Sequence, residues 1–436
     1  MADTTFTAAD LTTFLGLEAL GLRAVGQRLQ DDGAVVECRL AVSLEDPFCR
    51  VCGAQGVAVG TVSRRLAHLP VGWRPTQLVV RLRRFSCAPC RRVWRQDAAR
   101  VAAKRSRLTW SAVDWGMRAL GAEFMSVSRI AKALGVAWHT ANSSILSRAQ
   151  QVLLEDPGRL EGVEVIGVDE HAWRHTARGD RYVTVVIDLT PVRTGTGPAR
   201  LLDMVPGRSK RALKDWLEGQ DEAFRHRIEV VAMDAFTGFK SAAAQALPDA
   251  TEVMDPFHVV ALAGDKLDRT RQRLQRQTTG RRGRKNDPLY KARRLLRTGA
   301  GLLTDKAWDR LEGVFADERH AAVEATWSAY QRIIAAYRAK TPAAGKALMT
   351  KIIDTLGTGV PQALGELAEL GRTLRKRRHD ILAYFDHPHA SNGPTEAING
   401  RLEHLRGIAL GFRNLTHYTT RSLIHAGGFR KKLLHP

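Results

Sequence analysis

The sequence predicts an α/β protein: a strand-built domain interrupted by a long helical stretch, and preceded by a small cysteine-bearing β segment and a helix-turn-helix. Three observations carry this expectation. Five short β-branched runs lie between 162 and 255, helical spacing fills 258 to about 385, and two CxxC pairs stand near the N-terminus. At 436 residues with 44% hydrophobic content, the chain is long enough for two or three cores. It shows no internal repeat.

Residues 1–46 offer a short apolar helix candidate (Leu11 to Val25) and a strand-like run (Ala34 to Val42), and no chemistry. The next segment, 47–100, holds Cys49 and Cys52 in CRVCG and Cys87 and Cys90 in CAPC, separated by strand-like runs at Val57–Leu66 and Gln77–Phe85. Each CxxC turn brings two thiolates within reach of one ion, and two such turns complete the closed S4 shell of a structural Zn²⁺, so the layout predicts a zinc ribbon. A redox role is disfavoured because neither pair leads into a βαβ unit. Cys38 is left over and is expected in the core.

Segment 101–155 turns helical. In SVSRIAKALGVAWHTANSSILSRA, Ile130, Ala131 and Leu134 share one face, Gly135 suits a left-handed turn, and Thr140 and Ile145 begin a second face. This spacing fits a helix-turn-helix as well as an ordinary helical hairpin. In the first reading, Trp138, His139, Thr140 and Asn142 open the recognition helix and face base edges, while Arg129 and Lys132 hold phosphate.

Charge favours the DNA reading. The formal net charge is +22, an excess suited to an anionic polymer. Thirteen Lys/Arg against two Asp/Glu lie between Lys266 and Arg297, including Arg281, Arg282, Arg284 and Lys285; ten more, opposed only by Asp97, lie between Arg81 and Arg107. No apolar run approaches a membrane span, and the N-terminus lacks the basic region of a secretory signal, so a cytoplasmic protein, nucleoid-associated when bound, is expected.

The strand runs are GVEVIGVD (162–169), RYVTVVIDL (181–189), ARLLDMV (199–205), IEVVAMD (228–234) and TEVMD (251–255), with helical segments Ser209–Glu218 and Gly238–Leu247 around the fourth. Asp169 and Asp234 end apolar runs, where an acidic side chain leaves a buried strand and can face a ligand. Phosphodiester chemistry needs hard oxygen ligands for Mg²⁺ or Mn²⁺, which activate the attacking oxygen and stabilise the leaving one. A third carboxylate is required. Glu396, near the start of a helix opened by SNGP (391–394), is one candidate, although Pro394 at the first helical position also suits it to a capping role. Glu170, Asp188, Asp203, Asp255 and Glu403 compete by position. His171 and His258 are either packed in the core or support the acidic site.

GVDEHAWR, VVAMDAFTGF, DPFHVV and SNGPTEAINGRLEHLRGIALGFRN, in this order, resemble the blocks of insertion-sequence transposases of the ISL-three family, and the resemblance covers nearly the whole chain. It implies an RNase H-like catalytic domain with a DDE triad, whose positions match Asp169, Asp234 and Glu396, and so chooses Glu396 over its rivals. It further implies cutting at terminal inverted repeats and joining to target DNA, with homo-oligomers on paired ends. Asp169 and Asp234 are 65 residues apart and Asp234 and Glu396 are 162 apart. The second gap fits a helical insertion at about 258–385 within a domain spanning 156–436. A non-catalytic DNA-binding regulator and a structure-specific nuclease are the competing classes.

Overall fold

The computed structural model describes residues 8–41, 46–176 and 180–434, and the chain divides into two compact units, Met1–Arg159 with Ile408–Pro436, and Leu160–Gly407.

The first unit contains a five-stranded sheet of β1 (Leu22–Gln30), β2 (Gly33–Leu40), β3 (Val57–Val71), β4 (Arg74–Ser86) and β5 (Val93–Arg95), in the order β1-β2-β4-β3 with β5 on β4. The ribbon hairpin β3–β4 is thus longer than its apolar runs predicted and is widened by the N-terminal hairpin, with β2 parallel to β4. The expected helix over Leu11–Val25 is only α1 (Leu11–Phe14) and a single turn, because Gly21 at φ 67° redirects the chain into β1. Cys38, Leu66, Leu78, Val80 and Leu82 form the sheet's core, and burial pushes the Cys38 thiol up to about 12.

Three helices follow: α2 (Trp110–Gly121), α3 (Val127–Leu134) and α4 (Trp138–Ala149). Ser126 caps α3 by accepting from the Arg129 N–H, and Gly135 takes φ 65° between α3 and α4. One expectation fails here. Ala141, Ile145 and Ala149 form the buried stripe of α4, and Asn142 falls on it at 3% exposure. It faces the core and cannot reach a base edge from this position; Ser143 and Ser147 lie on the exposed face instead. Residues 408–436 also depart from the expected boundary. Helices Leu415–Ala426 and Arg430–Leu434 pack on α2, where a side chain at Gly121 would lie 2.7 Å from Ile424 and 2.6 Å from Leu433.

The second unit is built on β6 (Val165–Ala172), β7 (Tyr182–Asp188), β8 (Arg200–Pro206), β9 (Val230–Met233) and β10 (Thr251–Met254), ordered β10-β9-β6-β7-β8. All five apolar runs become strands. β6, β7 and β8 form an antiparallel meander, while β9 runs parallel to β6 and β10 parallel to β9. Helices α5 (Thr190–Thr194), α6 (Lys210–Glu218), α7 (Glu222–Arg227) and α8 (Thr237–Ala246) make the connections, and Leu213, Leu217, Phe239 and Ala243 seal one face of the sheet. Asp169 does not end its strand: antiparallel pairing with β7 carries β6 on to Ala172.

The helical stretch is α9 (Pro256–Thr279), α10 (Pro288–Arg297), α11 (Asp305–Phe315), α12 (Ala321–Tyr337), α13 (Pro342–Gly357), α14 (Gly365–Lys376) and α15 (Arg378–Asp386), packed around Leu267, Ile333, Ile353 and Leu370. The chain then returns to the sheet as α16 (Gly393–Ile408). Asn392 anchors it: its Nδ2 donates to the Val168 carbonyl (2.9 Å) and its N–H to Asp255 Oδ1 (2.7 Å). A side chain at Gly167 would lie 2.8 Å from Thr395 Oγ1, so β6 needs glycine there. Among the described residues no helix is long and apolar enough to cross a membrane.

Candidate active site and metal centre

The four cysteines of the first unit converge. Their sulfurs all lie within 4.8 Å of one another, with Cys52 and Cys87 3.5 Å apart, close to the edge of a tetrahedron built on Zn–S bonds of about 2.3 Å. Backbone N–H groups of Val51 and Cys52 lower the Cys49 thiol to about 7, whereas the hydrogen bond with Cys52, helped by burial and neighbouring thiolate charge, pushes Cys90 up to about 12. Four sulfurs this close cannot all ionise without a cation among them, and the donor set fits zinc.

In the second unit the last paired residues of β6 and β9 are Val168 and Met233, so Asp169 and Asp234 stand side by side on neighbouring parallel strands. Both are half-buried. Burial, reinforced by the charge of Asp234, raises the Asp169 carboxyl to about 6, and burial likewise raises Asp234. Neither has an ion-pair partner among the described residues. Asp169 accepts from Asn399 Nδ2 (3.0 Å) and Asp234 from the Phe236 N–H (2.8 Å).

The competing carboxylates are committed elsewhere. Asp188 binds Arg200, Asp203 accepts from the Trp216 indole, and Glu170 pairs with Arg208. Asp255 caps α9 and holds Asn392, and Glu403 pairs with Arg406. Glu396 lies in the first turn of α16 with its carboxylate exposed, three residues before the Asn399 that touches Asp169, hence on the same helix face. Asp169, Asp234 and Glu396 do not close to the spacing of the cysteines, which form the only such cluster among the described residues.

The two histidines differ. His171 is 5% exposed, its Nε2 3.9 Å from Glu403 Oε1, and burial lowers it to about 4, so it is neutral. His258 sits where its charge would favour ionisation of both aspartates. Its Nε2 and the Asn399 Oδ1 are buried without a hydrogen-bond partner among the described residues. Half-buried carboxylates with raised pKa beside an unsatisfied amide oxygen and an imidazole nitrogen form a donor set that fits a hard divalent cation.

Sequence reasoning missed Asn399, and it missed the support of Asp234. Arg377 donates to the Ala235 carbonyl (3.4 Å) and pairs with Asp380, which is 2% exposed and also binds Lys240 (2.5 Å). The signal for Asn399 was present in its three-residue offset from Glu396. Nothing local marked Arg377, which is 143 residues from Asp234 along the chain.

The expected DNA contacts are placed unevenly. Arg129, Lys132, Trp138 and His139 are exposed on α3 and α4, with Thr140 half-buried. Arg281, Arg282, Arg284 and Lys285 are exposed in the loop between α9 and α10. Several other cations of that block are engaged: Lys266 with Glu369, Arg271 with Asp268 and Arg273 with Glu366.

A family model for transposases of the ISL-three, DDE type matches residues 166–422, more than half of the chain and all of the carboxylate site. The chain belongs to the ISL-three family of transposases. It is similar to the transposase for insertion sequence element IS1001 of Bordetella parapertussis, 25% identical over 406 residues that cover 89% of this chain and 91% of the relative. It is also 26% identical over 332 residues to the transposase for IS1557 of Mycobacterium tuberculosis H37Rv, covering 71% and 70% of the two chains. Among solved structures, the Drosophila P element transposase strand transfer complex matches with a TM-score of 0.40 at 10% identity, over 74% of this chain and 92% of that one. This likeness is too remote to assign a fold.

If Asp169 is a metal ligand, a pH-dependent response to metal follows. Because the folded pKa of Asp169 lies above its unfolded value of 3.8, ionising it costs stability, and that cost grows as pH rises from about 4 through about 6. A bound cation removes the cost, whereas below the folded pKa protons compete with it. Mg²⁺ or Mn²⁺ should therefore raise the melting temperature more at pH 7 than at pH 5, measured by scanning fluorimetry. Equal shifts at both values would exclude Asp169 as a ligand.

Proposed function

We propose that the second unit is an RNase H-like catalytic domain in which Asp169, Asp234 and Glu396 hold divalent metal, and that the first unit recognises the terminal inverted repeats of an insertion sequence. The sheet order β8-β7-β6-β9-β10, an antiparallel meander followed by two parallel strands, supports the fold. The observation that carries the site is the pairing of Asp169 and Asp234 at the end of the β6–β9 register, with neither in an ion pair among the described residues and with α16 pinned across β6.

The three carboxylates would hold Mg²⁺ or Mn²⁺, which when bound supplies activation of a water or 3′-hydroxyl and stabilisation of the leaving oxygen. The chain's own groups prepare that site. Asn399 fixes one Asp169 oxygen, and Arg377 fixes the backbone after Asp234. Cleavage at the element ends frees a 3′-hydroxyl, and transesterification joins it to target DNA. Zn²⁺ in the cysteine quartet holds the ribbon. Two ends must meet for joining, so a homo-oligomer is the assembly proposed on DNA.

The test is incubation of purified protein with labelled element ends, target DNA and Mg²⁺. Joined product supports a transposase acting on these ends; cut ends without joining favour a nuclease, and binding without cutting a regulator. The α9–α10 loop makes a separate prediction. Reversing Arg281, Arg282, Arg284 and Lys285 to glutamate should weaken duplex binding and flatten the slope of log affinity against log salt by up to about four, since each phosphate contact contributes about 0.9 to that slope. Unchanged binding in a salt titration would remove the loop from the DNA interface.

A further inference from the structure

The β3–β4 hairpin ends in a two-residue turn, Gly72-Trp73, closed by the pair Val71–Arg74. Both turn residues have positive φ, 56° and 65°, the geometry of a type I′ turn, which favours Asn and Gly. Tryptophan is a poor choice there, because a bulky L-residue is strained at positive φ. Its side chain returns little by packing: Trp73 is 88% exposed. A strained backbone presenting an unpacked indole is the kind of local cost retained where function uses the group.

The position of the tip says what it meets. Pro75, two residues on, lies against the turn of the helix-turn-helix, 2.9 Å from where a Cβ on Gly135 would stand. Two residues reach about 7 Å, so the Trp73 backbone lies within about that distance of Pro75 and of the turn it packs against, three residues before the start of α4, where Trp138 and His139 are also exposed. Arg74 follows it and is exposed as well, and Arg83 and Arg84 are exposed further along β4, with Arg81 paired to Glu37. An aromatic tip with an adjoining arginine suits a DNA groove, with the ring against base edges or wedged at a base step and the guanidinium on phosphate.

We propose that the Gly72-Trp73-Arg74 tip is a wing of the helix-turn-helix that enters the groove of duplex DNA next to the one occupied by α4, with Trp73 making an apolar contact and Arg74 a phosphate contact. This rests on the reading of α3 and α4 as the DNA-recognition helices. The occupant is duplex DNA and not a second copy of the chain, because the tip carries arginine on the same unit as the exposed Arg129 and Lys132 and has no acidic neighbour in the turn.

The test uses the full-length, zinc-loaded protein and a duplex carrying the terminal repeat of the element that encodes it. Trp73→Gly suits the turn better than the native residue, so the fold should be kept and its melting temperature held or raised. Binding should weaken about tenfold while the slope of log affinity against log salt stays the same, as expected for loss of an apolar contact. Arg74→Ala should instead lower that slope by about one. Wild-type affinity in Trp73→Gly would overturn the wing, as would a change in its oligomeric mass without a change in DNA binding. A control variant, Arg129→Glu with Lys132→Glu and His139→Ala, separates the two readings. If only the control loses binding, the wing is wrong and the helix-turn-helix stands; if neither variant loses binding, both readings fall.

Discussion

Asp234→Ala protein is expected to bind element ends as tightly as wild type and to cut and join them at least about a thousandfold more slowly. The contrast follows from where Asp234 sits. It occupies the position after Met233, beside Asp169 on the neighbouring parallel strand, and among the described residues its carboxylate accepts one hydrogen bond, from the Phe236 N–H at the start of α8. Losing that bond costs little of the fold, since β9 is held by Val230, Val231, Ala232 and Met233, all fully buried. In the proposed role of Asp234 as a metal ligand, its loss would remove transition-state charge stabilisation worth several kcal/mol, and each 1.4 kcal/mol or so is tenfold in rate. A gel assay of cleaved and joined products beside a binding titration reads both halves. Wild-type cutting by Asp234→Ala would remove it from the site.

The second large effect concerns zinc. One equivalent of Zn²⁺ per chain is expected in the purified protein, and Cys49→Ser with Cys52→Ser should abolish it and lower affinity for element ends by more than about tenfold. Otherwise the two cysteine turns are held by local bonds, including the Cys49 N–H to the Ala54 carbonyl, the Gly53 N–H to the Cys49 carbonyl and the Cys87 N–H to the Arg92 carbonyl, and by the short pairing of β5 with β4. Zinc here would fix the end of the hairpin opposite the Trp73 tip, and in small zinc folds the ion decides whether the fold forms. Binding should strengthen as pH rises, because without metal the Cys90 thiol holds its proton up to about 12 and must release it. Metal analysis and fluorescence anisotropy on labelled ends measure the two quantities. Unchanged end binding by a zinc-free variant would make the quartet dispensable for recognition.

Much of the architecture was legible because it is written in local pattern. The five β-branched runs, the CxxC spacing and the helical stretch each follow from side-chain periodicity or metal chemistry within a few residues, and each forms in the structure. What escaped depends on distant partners. β1 was missed because its residues Leu22–Gln30 are mostly exposed and acquire strand geometry only by pairing with β2. Asn142 read as a base contact because it opens α4, but the helix is phased by burial of Ala141 and Ile145 against α2 and α3, which turns Asn142 inward. The apolar run ends at Asp169, but pairing with β7 extends the strand past it. Glu396 was selected by family motif, and its neighbour Asn399 emerged only when Asp169, 230 residues earlier, proved to be its partner. Arg377 and Asp380 form a local i,i+3 pair, but their role behind Asp234 carries no local signature, because it depends on the Arg377 bond to the Ala235 carbonyl and the Asp380 bond from Lys240, partners 142 and 140 residues away.

The most direct test of the carboxylate site is a metal switch. Asp169→Cys, Asp234→Cys and Glu396→Cys would each replace a hard oxygen with a thiolate, a poor ligand for Mg²⁺ and a better one for Mn²⁺. Cleavage of a labelled element end should be lost in Mg²⁺ for all three variants and recover at least in part in Mn²⁺, while Glu403→Cys cuts in both. Cleavage by Glu396→Cys in Mg²⁺ at the wild-type rate, or the metal switch appearing in Glu403→Cys instead, would contradict the assignment.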